Sequence, residues 1–363
     1  MSTFVALVVA LVGSAHAQIP ACTAAEPCCK ESLAVGNFSF WYFRSYSLQT
    51  ANPNIERAVI VTHGLQRNAG DYFQATVDAL NNASDPTLLV IAPHFKGFVQ
   101  GSSTCNDALE SGELHWSCTG QNSVNRWDDG GQARDVGGAA IYSFTMIDYL
   151  LDILNNPDLF PNLTKIAISG HSDGGQFTQR YAAGNQMDGT IGASVKYVIA
   201  NPGSYMYFDN QRLPKGETCF EDGTCTADFT ENWDPDGECP TTYDNYKYGL
   251  QARNFGYMNS ARPGFTDEDL TGRFFSRTVA YLLGENDQMN NSSFDQSCPG
   301  NAQGIHLADD GTGYVGGRRE RGVIFWNRIR QLGADHSLTI VPSCGHNEFC
   351  MYGSDEIVQA LLF

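Results

Sequence analysis

The chain has 363 residues, 40 of them acidic against 22 basic, for a formal net charge of −18 at pH 7. Such a surplus of negative charge argues against nucleic acid and against anionic membrane surfaces as partners, since both would repel it. The length fits one large domain or two small ones.

In chain order, residues 1–17 read as a signal peptide removed after Ala17. Phe4 to Val12 is apolar and too short to span a bilayer. Ala15-His16-Ala17 before Gln18 is a small-residue cleavage pattern. No basic residue precedes the apolar run, which departs from the usual pattern. No later segment has the length and apolarity of a membrane helix, so the expectation is a secreted, extracellular protein with no membrane partner. The 11 cysteines all follow Ala17. That density in an exported chain points to disulfides rather than to metal or redox chemistry. Close spacing singles out Cys105 with Cys118, Cys219 with Cys225, Cys344 with Cys350, and Cys22 with Cys28 or Cys29. Connectivity stays open, and the odd count leaves a thiol free or paired between chains. No two C-x-x-C pairs stand at finger spacing, so no zinc site is expected. Sequons at Asn37, Asn82, Asn162, Asn290 and Asn291 point to a glycoprotein. Nothing sets an oligomeric state.

Phe38 to Leu48 alternates aromatic with polar residues, the pattern of an antiparallel edge strand. Ala58–Thr62, Leu88–Ala92, Lys165–Ser169, Val195–Ala200, Thr278–Leu283 and Leu338–Val341 are short apolar runs. Helical patterns lie between them over 70–80, 134–154, 175–187, 318–332 and 355–362. Buried strands alternating with helices predict an α/β fold: a mostly parallel sheet with helices on both faces. Residues 96–131 and 204–272 break the alternation. Both leave the carboxyl ends of strands, where open α/β sheets bind ligands. One domain over 18–363 is expected, with a lid-like excursion at about 205–270. Trp116, Trp127, Trp233 and the tyrosines at 205, 207, 243, 246 and 248 would either stack on a substrate or form a small core of the lid.

Chemistry concentrates at Gly170-His171-Ser172-Asp173-Gly174. This G-x-S-x-G follows a strand and precedes a helix, the context that holds a serine hydroxyl on a strained elbow. His171 is expected to pack beneath the elbow. A serine nucleophile needs a base, and the base needs a carboxylate to orient it. Asp287, in the loop after the strand at 278–283, fits the acid, with Glu285 and Asp295 as competitors. His346, in the loop after the last strand, fits the base. His336 precedes that strand, and His306 lies before the preceding helix. Backbone N–H groups of Leu65, after His63-Gly64, and of Asp173 would form the oxyanion hole. Arg126-Trp127-Asp128-Asp129 lacks the spacing of a calcium loop. No metal or cofactor is expected.

Thr62 to Leu65, the elbow, Leu283 to Asp287 and Cys344 to His346 together make the chain resemble the α/β-hydrolase superfamily, specifically secreted serine esterases and polyester-depolymerase-like proteins. The resemblance covers about residues 58–363. It implies a carboxylic-ester hydrolase acting on a small or polymeric ester through a Ser-His-Asp triad. A secreted peptidase on the same fold and a non-catalytic binding protein on a hydrolase scaffold are the competing readings.

Overall fold

The computed structural model describes residues 20–118, 126–214, 216–234, 241–289, 306–307, 314–315 and 317–363. The leader, Cys239, Asp295, Cys298 and the Asn290 and Asn291 sequons lie outside these residues. An antiparallel pair, β1 (Lys30–Val35) and β2 (Phe38–Arg44), opens the fold. Strands and helices then alternate: β3 (Arg57–Thr62), α1 (Ala69–Ala79), β4 (Leu88–Pro93), α2 (Ser143–Leu154), β5 (Lys165–His171), α3 (Asp173–Gly184) and β6 (Ser194–Ala200). There follow α4 (Asp267–Ser276), β7 (Thr278–Gly284) and a short pairing of β8 (His306–Leu307) with β9 (Tyr314–Val315). The chain continues with α5 (Arg318–Gln331), β10 (Ser337–Val341), α6 (Glu348–Tyr352) and α7 (Asp355–Leu362). The main sheet has eight strands in the order β1-β2-β4-β3-β5-β6-β7-β10, parallel from β4 onward.

Successive side chains of a strand point to opposite faces, so a continuous apolar run must be covered on both. Strand β3 shows this directly. Ala58 and Ile60 join a core beneath α2, α3 and α5, with Phe144, Phe177 and Phe325. Val59 and Val61 join a second core beneath α1 and α7, with Phe73 and Ile357.

Two boundaries differ from expectation. Strand β2 is not the edge; β1 pairs outside it. The sequence of β1, Lys-Glu-Ser-Leu-Ala-Val, shows little apolar periodicity because its charges serve the edge. Glu31 accepts hydrogen bonds from Tyr42 Oη at 2.9 Å and Ser47 Oγ at 2.6 Å. Helix α2 starts at Ser143 rather than at residue 134, because Gly137 and Gly138 take positive φ of 62° and 86°. Helices α4 and α6 were not anticipated; each is short and starts from a side-chain cap, at Thr266 and Asn347.

The excursion after β6 extends the first core. Tyr205, Tyr207, Tyr246, Tyr257 and Phe265 all belong to it. Helix α3 is buried from Gly174 to Gly184, with its outer face covered by the excursion. Gln179 exchanges two 3.1 Å hydrogen bonds with the Met206 backbone. Arg180, fully buried, reaches Asp129 at 2.9 Å, and Lys247 reaches the same carboxylate at 3.2 Å. These pairs occupy Asp129, and Arg126 pairs with Asp128 at 2.7 Å. Trp116 and Trp127 are fully buried in the first core and cannot stack on a substrate, whereas Trp233 packs on Tyr243 at 5.1 Å.

Cys22–Cys29, Cys105–Cys118, Cys219–Cys225 and Cys344–Cys350 form disulfides. Cys28 is the free thiol among the described residues. No helix among these residues is long and apolar enough to cross a membrane. Asn37 is exposed in the turn between β1 and β2. Asn82 is fully buried, and its amide nitrogen donates to Leu88 O at 2.7 Å.

His336 marks the end of the sheet opposite the carboxyl edge. It is 4% exposed, its Nε2 lies 2.9 Å from Phe274 O, and burial pushes its pKa down from 6.5 to about 4. Between those values the unfolded chain takes up a proton that the folded chain refuses. Stability from the neutral ring is present above pH 6.5 and lost as pH falls toward 4. His336→Gln should therefore cost stability at pH 7, and its deficit should shrink by up to about 3 kcal/mol at pH 4. Urea midpoints of both proteins at the two pH values measure this.

Candidate active site

The turn from β5 into α3 has no room for ordinary side chains. A methyl group on Gly174 would strike the carbonyl oxygens of Thr62 and His63, and one on Gly170 would strike the Gly174 carbonyl. Ser172 stands between them at φ 60° and ψ −123°, a conformation costing about 1–3 kcal/mol for a residue with a Cβ. Its N–H donates to Ala200 O at 3.0 Å, which anchors the turn to the end of β6.

The loops after β7 and β10 meet this serine. His346 Nε2 lies 2.8 Å from Ser172 Oγ, and His346 Nδ1 lies 2.7 Å from Asp287 Oδ2. The three side chains expected to work together therefore form one continuous hydrogen-bonded chain. Asp287 is 1% exposed, and its second oxygen lies 3.3 Å from Arg318 Nη1 at the start of α5. Glu285 does something else: it accepts the Ser343 N–H at 2.8 Å and joins the two loops from the outside. His336 sits at the far end of β10, and His306 falls in β8.

His171 lies beneath the constellation. Its ring is 4.6 Å from that of His346 at 36°, and its Nδ1 lies 2.8 Å from Tyr72 Oη. Burial, then the neighbouring His346, hold its pKa well below the usual range. The ring therefore stays neutral and presents no fixed positive charge against a proton arriving on His346.

Asp173 follows the serine in the chain, and Gly64, the residue before Leu65, packs against it. Gly64 packs so close that a Cβ on it would be 3.3 Å from Ser172 Cβ. Phe95 N–H donates to His63 Nε2 at 3.0 Å, which leaves the His63 proton on Nδ1, 2.9 Å from Gly64 O. Arg67 N–H also reaches Gly64 O, at 3.0 Å. A trans peptide directs N–H opposite to C=O, so these contacts turn the Leu65 N–H away from the His63 ring. His63 is neutral, with burial pushing its pKa down to about 3. Asp173 opens α3, where a backbone N–H has no acceptor within the helix and the helix dipole is positive. Its carboxylate does not face a cleft as a free charge: Arg126 Nη2 pairs with it at 2.7 Å.

Arg318 and the buried Asn201 do not stand out in the sequence, and Arg126 stands there only in a segment that lacks the spacing of a calcium loop. Arg318 stands in a run with Arg319 and Arg321, and nothing local marks which one reaches the acid. Asn201 follows β6 as an ordinary loop asparagine; its positive φ of 44° appears only in the structure.

No family model and no curated protein matches the chain. Among solved structures, it resembles a poly(3-hydroxybutyrate) depolymerase from Bordetella parapertussis with a TM-score of 0.52 at 18% identity, covering 92% of this chain and 90% of that one. It also resembles poly(aspartic acid) hydrolase-1 from Sphingomonas sp. KT-1 with a TM-score of 0.50 at 17% identity, covering 92% and 98%. The fold is that of the α/β hydrolases.

The Cys344–Cys350 disulfide brackets His346. So small a loop is stabilised by only about 2 kcal/mol in the chain-entropy model. A displacement of the imidazole by 1 Å, in contrast, is worth about a hundredfold in rate. Replacing both cysteines by serine should lower turnover at the candidate site more than tenfold while lowering the melting temperature by only a few degrees. Steady-state kinetics and calorimetry on the same preparation separate the two effects.

Proposed function

We propose that this protein is a secreted serine hydrolase that cleaves carboxylic esters, small or polymeric, through an acyl-enzyme. The observation that carries the reading is the unbroken relay from Ser172 Oγ through His346 to Asp287, with separations of 2.8 and 2.7 Å. Ser172 attacks the ester carbonyl while His346 Nε2 takes its proton. Asp287 holds the Nδ1 proton and stabilises the imidazolium. The Leu65 and Asp173 N–H groups receive the oxyanion. The intermediate collapses, His346 returns the proton to the leaving alkoxide, and the acyl group stays on Ser172. Water, activated by the same histidine, then attacks the acyl-enzyme and releases the acid. The chemistry calls for no cofactor.

Several features support the accompanying reading of one exported catalytic domain over 18–363 behind a signal peptide at 1–17. The apolar leader and the four disulfides among the described residues fit an oxidising compartment. The excursion at 205–270 keeps its lid-like place after β6, with Tyr205, Tyr207 and Tyr246 packed into the core.

Ser172→Ala should leave a folded protein whose hydrolysis of p-nitrophenyl esters falls by several orders of magnitude, because relay members act as a unit. Near-native turnover in that variant would sink the reading. Asp287→Asn should cost roughly 10⁴-fold in turnover, by analogy with the serine-protease case, whereas Glu285→Gln should be mild. Faster turnover on aminoacyl-nitroanilides than on esters would favour a peptidase instead. Labelling of Ser172 by a fluorophosphonate separates both from a binding protein.

The base must be unprotonated to accept the serine proton. kcat/KM should therefore rise with pH through a single ionisation and then level off. A pH-rate profile that is flat from acid to neutral would remove His346 from its role.

A further inference from the structure

Asn201 follows β6 and is fully buried. Its carboxamide touches the chain one residue before His346, one before Ser172 and, at Gly284, three before Asp287. Oδ1 accepts the Gly284 N–H at 2.7 Å, at the end of β7 where the Asp287 loop begins. Nδ2 donates to Gly345 O at 3.1 Å, the residue before His346. The same nitrogen lies 3.4 Å from His171 Nε2, on the residue before Ser172. The first two bonds fix which end of the amide is oxygen and which is nitrogen. The backbone holds this arrangement: Asn201 N–H donates to Leu282 O at 3.1 Å, and φ is 44°, a left-handed conformation that asparagine tolerates better than most residues.

Only one short, planar side chain with a donor and an acceptor meets these demands at once. An acid would set a carboxylate oxygen against the Gly345 carbonyl. A leucine would leave the Gly284 N–H and Gly345 O without this partner, at the desolvation cost of the buried Gly284 N–H. The contact with His171 also reaches the ring that lies tilted against His346.

We propose that Asn201 is a positioning residue, holding the serine, acid and base loops in mutual register from below. The inference rests on the hydrolase reading given above. It assigns Asn201 no contact with substrate; the residue acts through Gly284, Gly345 and His171.

Asn201→Gly is the informative variant, because glycine accepts the positive φ and removes only the carboxamide. Its kcat on a p-nitrophenyl ester should fall about 100-fold, with KM within about twofold of the parent, since geometry and not substrate binding is lost. Asn201→Asp keeps the acceptor for Gly284 N–H but loses the donor, and should also fall by more than about tenfold. Both are measured per folded molecule, with near-UV circular dichroism fixing the folded fraction. A kcat for Asn201→Gly within about tenfold of the parent, whatever its melting temperature, would overturn the positioning role. Ser172→Ala is assayed beside them. If Ser172→Ala is inactive while Asn201→Gly stays active, this inference fails alone. If Ser172→Ala stays active, the hydrolase reading fails and takes the inference with it.

Discussion

The first turn of α3 is pressed against the carbonyl oxygens of two neighbouring strands, and most of the architecture follows from that contact. Thr62 and His63 crowd Gly174, and Ala200 crowds Gly175. With no Cβ at these positions, the helix can start immediately where β5 stops. The serine between them then has nowhere to go but the left-handed region, with its hydroxyl on the carboxyl edge of the sheet. The strain is tolerated because backbone on both sides holds the turn: β3 below through Thr62, and β6 beside it through Ala200. The loops after β7 and β10 then need only the ordinary parallel register of the sheet to bring Asp287 and His346 within reach.

Charge is arranged around this turn in two separate ways. On one side, Asp287 is fully shielded from water and shared between His346 and Arg318, so the carboxylate has partners on both oxygens. On the other side, Asp173 is drawn into a buried lattice with Arg126, Asp128, Arg180, Asp129 and Lys247. That lattice ties the segment at 126–129, the back of α3 and the excursion into one unit. Ion pairs this deep add little net stability over an apolar filling, but removing one partner strands the rest. Between the two sets, His63 and His171 are kept neutral by burial. The carboxyl edge thus carries fixed partners for its acids and uncharged imidazoles beneath its serine.

What could be read from the sequence divides along physical lines. Strands buried on both faces announce themselves, because Ala58 to Val61 and Ile166 to Ile168 are apolar throughout. The order of serine, acid and histidine along the chain was legible for the same reason: each follows such a strand. Strand β1 was not, since an edge strand with one neighbour tolerates Lys30 and Glu31. Helices α4 and α6 depend on single capping residues rather than on a long apolar stripe. The 205–270 excursion was legible only as an interruption. That its tyrosines complete the first core depends on contacts with α3 and α5 from far along the chain. Arg318 and Asn201 escaped because their roles reside in tertiary geometry, one in which arginine of a basic run faces the acid, the other in a backbone angle.

The burial of Asn82 reaches back to the biosynthesis of the chain. Its side-chain nitrogen, the atom to which an oligosaccharide would be joined, lies fully inside the protein and is spent on Leu88 O. A branched sugar cannot share that space. A nascent chain in a glycosylating host therefore faces a branch point at this tripeptide: molecules that acquire a glycan there are barred from this structure, and those that escape can close the turn before β4. The exposed Asn37 imposes no such choice. Two sequence signals of one kind thus differ in what their place in the fold permits: a glycan would have room at Asn37 and none at Asn82.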